Sequence, residues 1–544
     1  MVFSTILFLF RFLPITLALY YLAPAKLKNT VLFLCSLVFY CWGEVRFFPI
    51  MIALILLNYL CGLGLERFDG SKPTRKCFLL AGLVGSLGML FYFKYANFVL
   101  SSANALLGTS FSPIQGISTL PLGISFYTFQ TLSYTIDVYR RDVKTEHNII
   151  DFGAYVVMFP QLIAGPIVKY RDVAAQLHVT HGRYNLKQIE DGMTLFTFGL
   201  AKKVLLADTI GALWTDIIGI ADSPSTTFVG LANASTALVW LGVIAYSLQL
   251  YFDFSGYSMM GIGMGKMLGF DFPQNFNYPY ISASITEFWR RWHMTLSGWF
   301  REYVYIPLGG NRKGKARKYL NLLLTFLVSG VWHGVGLTYL IWGALHGVYQ
   351  IAGDATDRLR GRVYAALHVS RTGRLACAWQ CLCTFALVNA AWVFFRAASV
   401  HDALYVLTAQ FRNVSLTGLL ADIRAMNPIG IIFTGGPNSV YEEKIKEIRK
   451  EIDCLDNETE RRSRELAQIF MKYKEGNVLV DTYKKMKEEL EKGNTTLNIT
   501  DDAMVVEEFT TNQVRFVQGD YKNIKVTTPE DIDIAELFIE LDAK

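Results

Sequence analysis

The chain returns again and again to apolar stretches long enough to cross a lipid bilayer. A helix that spans the hydrocarbon needs about 20 such residues, because each adds only about 1.5 Å. In lipid every backbone N–H and C=O must find a partner inside the protein, so stretches of this kind read as helices. Candidate spans are 4–22, 30–43, 47–65, 78–96, 120–138, 150–168, 190–212, 228–252, 254–269, 319–333, 336–353 and 378–396. Residues 282–307 are amphipathic and are expected to lie in the interface or dip into it. Hydrophobic residues make up 52% of the chain and charged ones 18%, which speaks against an ordinary soluble enzyme. No small-residue cleavage site follows the first run, so Phe3 to Tyr21 is expected to stay as a first helix. The fold class expected is an all-α polytopic membrane protein with roughly 10–12 membrane helices, some broken or re-entrant.

Charge divides the chain in two. Residues 1–426 carry 35 Lys and Arg against 21 Asp and Glu, a net of +14, while residues 427–544 carry 17 against 25, a net of −8. The expected organisation is a membrane domain over 1–412, a linker over 413–426 and an acidic tail over 427–544. That tail is expected to be soluble, mixed α/β or partly disordered. In the front part the cations sit in short loops: Arg67, Lys72, Arg75 and Lys76 in one, Arg140, Arg141 and Lys144 in another. The loop from Ala96 to Leu120 carries none. Basic loops face the cytoplasm, so this alternation puts the N-terminus outside a plasma or inner membrane. A basic body of this kind suits an anionic leaflet rather than nucleic acid. The eight cysteines are scattered without paired C-x-x-C spacing, so neither a metal site nor a disulfide framework is expected.

Ionisable groups at membrane depth are costly unless paired or hydrated, and mark functional sites by default. They concentrate at residues 285–347, which hold three of the eight histidines (His293, His333, His346) and five of the ten tryptophans. Glu287, Arg290 and Arg291 lie just before His293 among aromatic residues. A Trp/Arg-rich stretch also suits an interfacial helix with snorkelling arginines. His333 is set between two apolar runs, Tyr319 to Trp332 and Leu337 to Trp342. Three further segments put polar groups on spans: Pro121 to Gln130, Phe159 to Pro166, and Gln249 to Ser258, the last with Asp253 between apolar runs. Each alone is explained by helix–helix packing through small and polar residues. Together they point to an internal polar cavity. The loop Gly309 to Lys318 carries Arg312, Lys313, Lys315, Arg317 and Lys318. It reads first as a cytoplasmic topology loop and second as a cradle for donor phosphates; the Walker spacing is absent.

The run RRWHMTLSGWFREYVYIPLGGNRKG (290–314), followed by GVWHG (330–334) and WGALHG (342–347), resembles the membrane-bound O-acyltransferase superfamily. Within it the likeness is to the membrane subunit of alginate O-acetyltransferase, and more distantly to the membrane protein that D-alanylates teichoic acids. PLGISFYTFQ (121–130), FPQLIAGPI (159–167) and QLYFDFSGYS (249–258) match the same pattern, over about residues 1–412. Met259 departs from it, standing where the family usually carries Asp. The resemblance implies an acyltransferase in which His333 is the general base. His293 would orient donor or acceptor, at a place where relatives carry Asn or His. His346, Asp253, Glu287, Arg290, Arg291 and Gln130 are the candidate substrate-binding residues, the Glu and Arg forming a cavity wall through ion pairs. It also implies an acetyl donor, acetyl-CoA, entering from the cytoplasm, with no bound cofactor. The acceptor would be an exported polysaccharide, served directly or through a separate extracytoplasmic acetyltransferase. D-alanyl transfer from a carrier protein is the alternative enzyme reading, and a transporter with a polar membrane cavity is the alternative outside enzymes. No internal repeat supports the transporter.

In the tail, Gly430 to Tyr441 resembles a strand-turn piece of the glutaminase domain of GMP synthase. Ile499 to Ala503 with Asn523 to Asp531 resembles the end of the cytidylyltransferase of the methylerythritol phosphate pathway. Neither piece brings a catalytic loop, so neither activity is expected.

Overall fold

The computed structural model describes residues 2–114, 120–162, 165–178, 185–218, 235–412 and 414. The acidic tail, with its expected soluble fold, lies outside the described residues, as do Ile163 and Ala164 of the second polar segment. Among the described residues the regular structure is helical and no strand occurs. The helices run α1 (Leu13–Leu22), α2 (Lys28–Glu44), α3 (Phe48–Arg67), α4 (Lys72–Leu107), α5 (Ile124–Arg140), α6 (Ile149–Val157), α7 (Phe159–Leu162), α8 (Tyr170–His178), α9 (Leu186–Ala201) and α10 (Asp208–Ile218). Then come α11 (Thr236–Met267), α12 (Ile285–Arg291), α13 (Met294–Phe300), α14 (Lys315–His333), α15 (Leu337–Ala355), α16 (Asp357–Ala366), α17 (Arg374–Arg396) and α18 (Val400–Ala409).

Four stretches are long and apolar enough to cross a membrane: Ala25–Arg67 (containing α2 and α3), α4, α11 and α17. The chain is a multi-pass membrane protein. Its surface agrees: Leu80, Val84, Leu87 and Phe91 recur at helical spacing along α4 and are all exposed, the stripe a lipid-facing helix presents. The interior is aromatic, with fully buried Tyr20, Tyr40, Tyr127, Tyr134, Tyr155, Trp342 and Trp392 among its largest side chains.

Three expectations about elements are refined. The separate spans 228–252 and 254–269 are one helix, α11, over the described residues 236–267. Asp253 does not interrupt it, because Lys203 Nζ lies 3.0 Å from its carboxylate and removes the need for a break. The run 150–168 is broken as expected, with α6 and α7 separated at Met158. The amphipathic stretch 282–307 is two seven-residue helices, α12 and α13, followed by a π turn over Arg301–Tyr305.

α9 packs on α11 through glycines. Gly192 and Gly199 on one helix, and Gly256 and Gly263 on the other, are each seven residues apart and so share a face. A Cβ on Gly192 would stand 2.6 Å from the carbonyl oxygen of Gly263, and one on Gly256 2.7 Å from that of Gly199. The two backbones touch, as small residues allow in membranes. This contact fixes α11, whose other face helps line the cavity described next.

Candidate active site

α14 and α15 form a hairpin that puts His333 at its apex. Gly330 and Gly343 face each other across it, 3.4 Å being the gap from a Cβ on Gly330 to the Gly343 Cα. His333 is the last residue of α14, where helical carbonyls lose their intrahelical partners. Gly334 N–H takes the carbonyl of Gly330 (3.3 Å). The next three are taken from α4. Tyr95 OH donates to the carbonyl of Val331, and Lys94 Nζ donates to those of Trp332 and His333, the latter at 3.5 Å. The ammonium thus sits at the negative end of the helix dipole. The His333 ring is half-buried against Trp332, Trp342 and Phe395, with centroid distances of 4.7, 4.9 and 5.3 Å. Its ring nitrogens have no hydrogen-bond partner among the described residues.

His293 reaches the same place from the other side. Ser284 caps α12 by accepting from Glu287 N–H (3.1 Å), while the Glu287 carboxylate accepts from Ala283 N–H (2.9 Å). This is close to the reciprocal capping box that Ser-x-x-Glu spacing favours. α12 ends at Arg291, and His293 turns the chain into α13 with a left-handed backbone, φ 43°. Histidine is among the few non-glycine residues enriched in that region. His293 is buried, and its Nδ1 lies 3.0 Å from Asn275 Oδ1. The same oxygen accepts from Thr295 N–H (3.3 Å) and Thr295 Oγ1 (2.9 Å). Thr295 Oγ1 in turn accepts from Ile167 N–H (3.0 Å), tying the site to the broken run after α7.

Between the two histidines lies a cavity of about 310 Å³. Lys94, Ser125, His293 and His333 border it, with Trp292, Trp332, Trp342 and Trp392 as its main aromatic wall. Leu250 and Phe254 enter from α11 and Gly123 and Ile124 from the start of α5. Among the described residues Lys94 is its only charged side chain, and no carboxylate lines it. Proton acceptors, one ammonium donor and a largely apolar wall are what moving a proton off a hydroxyl requires.

The other candidate residues lie around this cavity without lining it. His346, one turn beyond Trp342, is fully buried and its Nδ1 accepts from Trp289 Nε1–H (3.2 Å). Gln130 is buried one turn beyond Phe126, a lining residue, and its side-chain oxygen has no partner among the described residues. Asp253 pairs with Lys203, which also holds Asp208 at 2.6 Å. Glu287 pairs with Arg291 at 2.9 Å across one turn of α12, and Arg291 also reaches the carbonyl of Asn277 (3.2 Å). That pair braces α12, and neither residue is among those lining the cavity. Arg290 is exposed, with no ion pair among the described residues. Met259 meets Lys202, whose Nζ is 3.1 Å from its Sδ. The basic loop 309–318 stands at the opposite end of α14 from His333. Glu146, Asp151 and His178 bring potential ligand atoms within 4.8 Å of one another, away from the cavity. Protein donors already take both carboxylates: Tyr170 OH on Glu146 (2.6 Å) and Asn29 Nδ2 on Asp151 (2.8 Å).

Lys94 and Asn275 were not among the residues singled out in the sequence. Lys94 carried a signal nonetheless, as the only charged residue between Lys76 and Asp137. Asn275 carried none, lying in a polar loop with Gln274 and Asn277 close by.

Residues 76–400 match the MBOAT, membrane-bound O-acyltransferase family. The chain belongs to this family. The protein is an O-acyltransferase. It is 45% identical over 448 residues to the "Probable alginate O-acetylase AlgI" of Pseudomonas aeruginosa, covering 80% of this chain and 81% of that one. It is 37% identical over 437 residues to the "Peptidoglycan O-acetyltransferase" of Helicobacter pylori, covering 75% and 79%. It is 30% identical over 243 residues to the "Teichoic acid D-alanyltransferase" of Streptococcus thermophilus, covering 43% and 57%. In the tail, residues 475–541 match 2-C-methyl-D-erythritol 4-phosphate cytidylyltransferase, in line with the resemblance noted there.

Proposed function

We propose that this O-acyltransferase moves an acetyl group from cytoplasmic acetyl-CoA toward hydroxyls of an exported polysaccharide, with His333 as general base. The observation that carries this reading is that His333 and His293, forty residues apart in sequence, border one cavity in which the His333 ring nitrogens have no hydrogen-bond partner among the described residues. An imidazole titrates near neutrality and can both take and return a proton. A His333 ring nitrogen takes the proton from the acceptor hydroxyl as its oxygen attacks the thioester carbonyl carbon. The C–S bond breaks, and the leaving thiolate recovers the proton from the imidazolium. The names of the relatives favour acetyl as the acyl group and a cell-surface polymer as its destination.

Helix polarity supports entry of the donor from the cytoplasm. α4, α5, α14 and α17 each have a basic end, at Lys72 to Lys76, Arg140 to Lys144, Arg312 to Lys318 and Arg371 to Arg374. Each lends the cavity a residue from far along its length: Lys94, Ile124, His333 and Phe395. At 1.5 Å per residue these lie roughly 22 to 32 Å from the basic ends, most of a hydrocarbon thickness. If basic ends face the cytoplasm, the histidines stand toward the outer leaflet, and the acetyl thioester must reach in from the cytoplasmic side to meet the acceptor there. Delivery onto the polymer then needs either direct access from outside or a separate extracytoplasmic acetyltransferase.

The test is the acetyl content of the host's exported polysaccharide, with membrane levels of the protein measured alongside. His333→Ala is expected to abolish acetylation at equal abundance, since the ring is half-buried and its nitrogens make no hydrogen bond within the described residues. Full acetylation by that variant would make His333 structural. D-alanine esters in place of acetyl would favour the alternative donor.

A further inference from the structure

The hydrogen bonds around Asn275 decide which nitrogen of His293 carries the proton. Thr295 N–H can only donate, so the Asn275 atom it meets is the amide oxygen. Thr295 Oγ1 accepts from Ile167 N–H, which leaves its own hydrogen to go to that same oxygen. His293 Nδ1, 3.0 Å from an oxygen already accepting twice, must therefore donate. A neutral imidazole carries one N–H, so Nε2 keeps its lone pair. The contrast with His346 is sharp, since its Nδ1 accepts from an indole N–H and its proton must sit on Nε2.

An imidazole nitrogen with a lone pair can accept a hydrogen bond from a hydroxyl but cannot donate one to a carbonyl oxygen. We propose that Asn275 is a positioning residue that dedicates His293 to the acceptor substrate: it locks the Nδ1–H tautomer, so that Nε2 receives a hydroxyl of the incoming sugar. This rests on the acyl-transfer reading above. It splits the cavity by chemistry. The ring nitrogens of His293 and His333 meet the hydroxylated acceptor, while the donor-only ammonium of Lys94 is the group suited to the thioester oxygen.

Two variants of the full-length protein test this, assayed in detergent with acetyl-CoA and an oligouronate. Asn275→Asp keeps the same three hydrogen bonds but adds a negative charge that favours the imidazolium form. Among the described residues the charged and titratable groups facing His293 across the cavity are Lys94 and His333, and both are unchanged in the variant. The acid limb of the kcat/KM profile for the acceptor is expected to move upward by about one pH unit or more. Asn275→Leu releases the tautomer and is expected to raise the acceptor KM about tenfold. The KM for acetyl-CoA in the same assay is expected to change less than that for the acceptor. Ring-nitrogen NMR of histidine-labelled protein, with His293→Asn to assign the signal, should show the Nδ1–H form in the wild type and its loss in Asn275→Leu. An Asn275→Asp profile that superimposes on the wild type overturns the proposal, as does a Leu variant that weakens donor instead of acceptor. If the Leu variant does not accumulate, the Asp variant decides alone. Failure of the base assignment shows separately, as retained transfer in His333→Ala.

Discussion

At the scale of single residues, the site depends on groups that hold its backbone in place. Lys94 and Tyr95 hold the three carbonyls that end α14, and with them the backbone of His333. Lys94→Met keeps the length of the side chain and removes the grip. Transfer is expected to fall on the order of 100-fold with the protein still folded, because small misplacements of a reacting group cost that much; a single-turnover assay at matched abundance checks it. A second prediction concerns acid. Burial works against the Glu302 carboxylate, but Lys169 (2.8 Å) and Arg171 outweigh it and hold its pKa below the ordinary value of 4.5. A depressed carboxylate stabilises the fold fully above that value and loses its effect as the pH falls below it. Glu302→Gln should therefore lower Tm at pH 7 while narrowing the gap to the wild type below about pH 4. The histidines were legible in the sequence because polarity inside apolar runs stands out. Asn275 was not, since nothing local distinguishes an amide that orients a histidine 18 residues away from one that merely faces water.

Among the elements, the α9–α11 contact carries the most risk. Gly256→Leu puts a branched side chain where a Cβ alone would overlap the Gly199 carbonyl. Overpacking of this kind costs about 1–3 kcal/mol and often more against backbone. Reduced yield of folded protein and a lower Tm in detergent are the expected readouts, and an unchanged Tm would show that the helices can separate freely. The apolar runs made most helices visible beforehand, because length and hydropathy alone define a span. Their joins were harder. α11 looked like two spans because Asp253 falls between two apolar runs; it was expected to be paired or hydrated, but its partner Lys203, fifty residues earlier, was not visible locally. The converse holds for α6 and α7, where the break was visible in Pro160 and Gly165.

For the molecule as a whole, the described residues that line the cavity all fall between Lys94 and Phe395. The family match ends at residue 400. A variant ending near residue 426 is therefore expected to retain most of its transfer activity, measured as polysaccharide acetyl content at matched membrane levels. Loss of transfer would give the acidic tail a part in the reaction that composition does not suggest.

The left-handed turn at His293 has a consequence for descent. A position with φ 43° admits glycine, asparagine, aspartate and histidine far more readily than branched or bulky residues. Asparagine and aspartate are also single-nucleotide neighbours of histidine in the genetic code. Drift at this site is thus channelled by backbone geometry toward small polar groups. A lineage that loses the imidazole is steered to a residue that can still hydrogen-bond a hydroxyl, while the chain around it keeps its course.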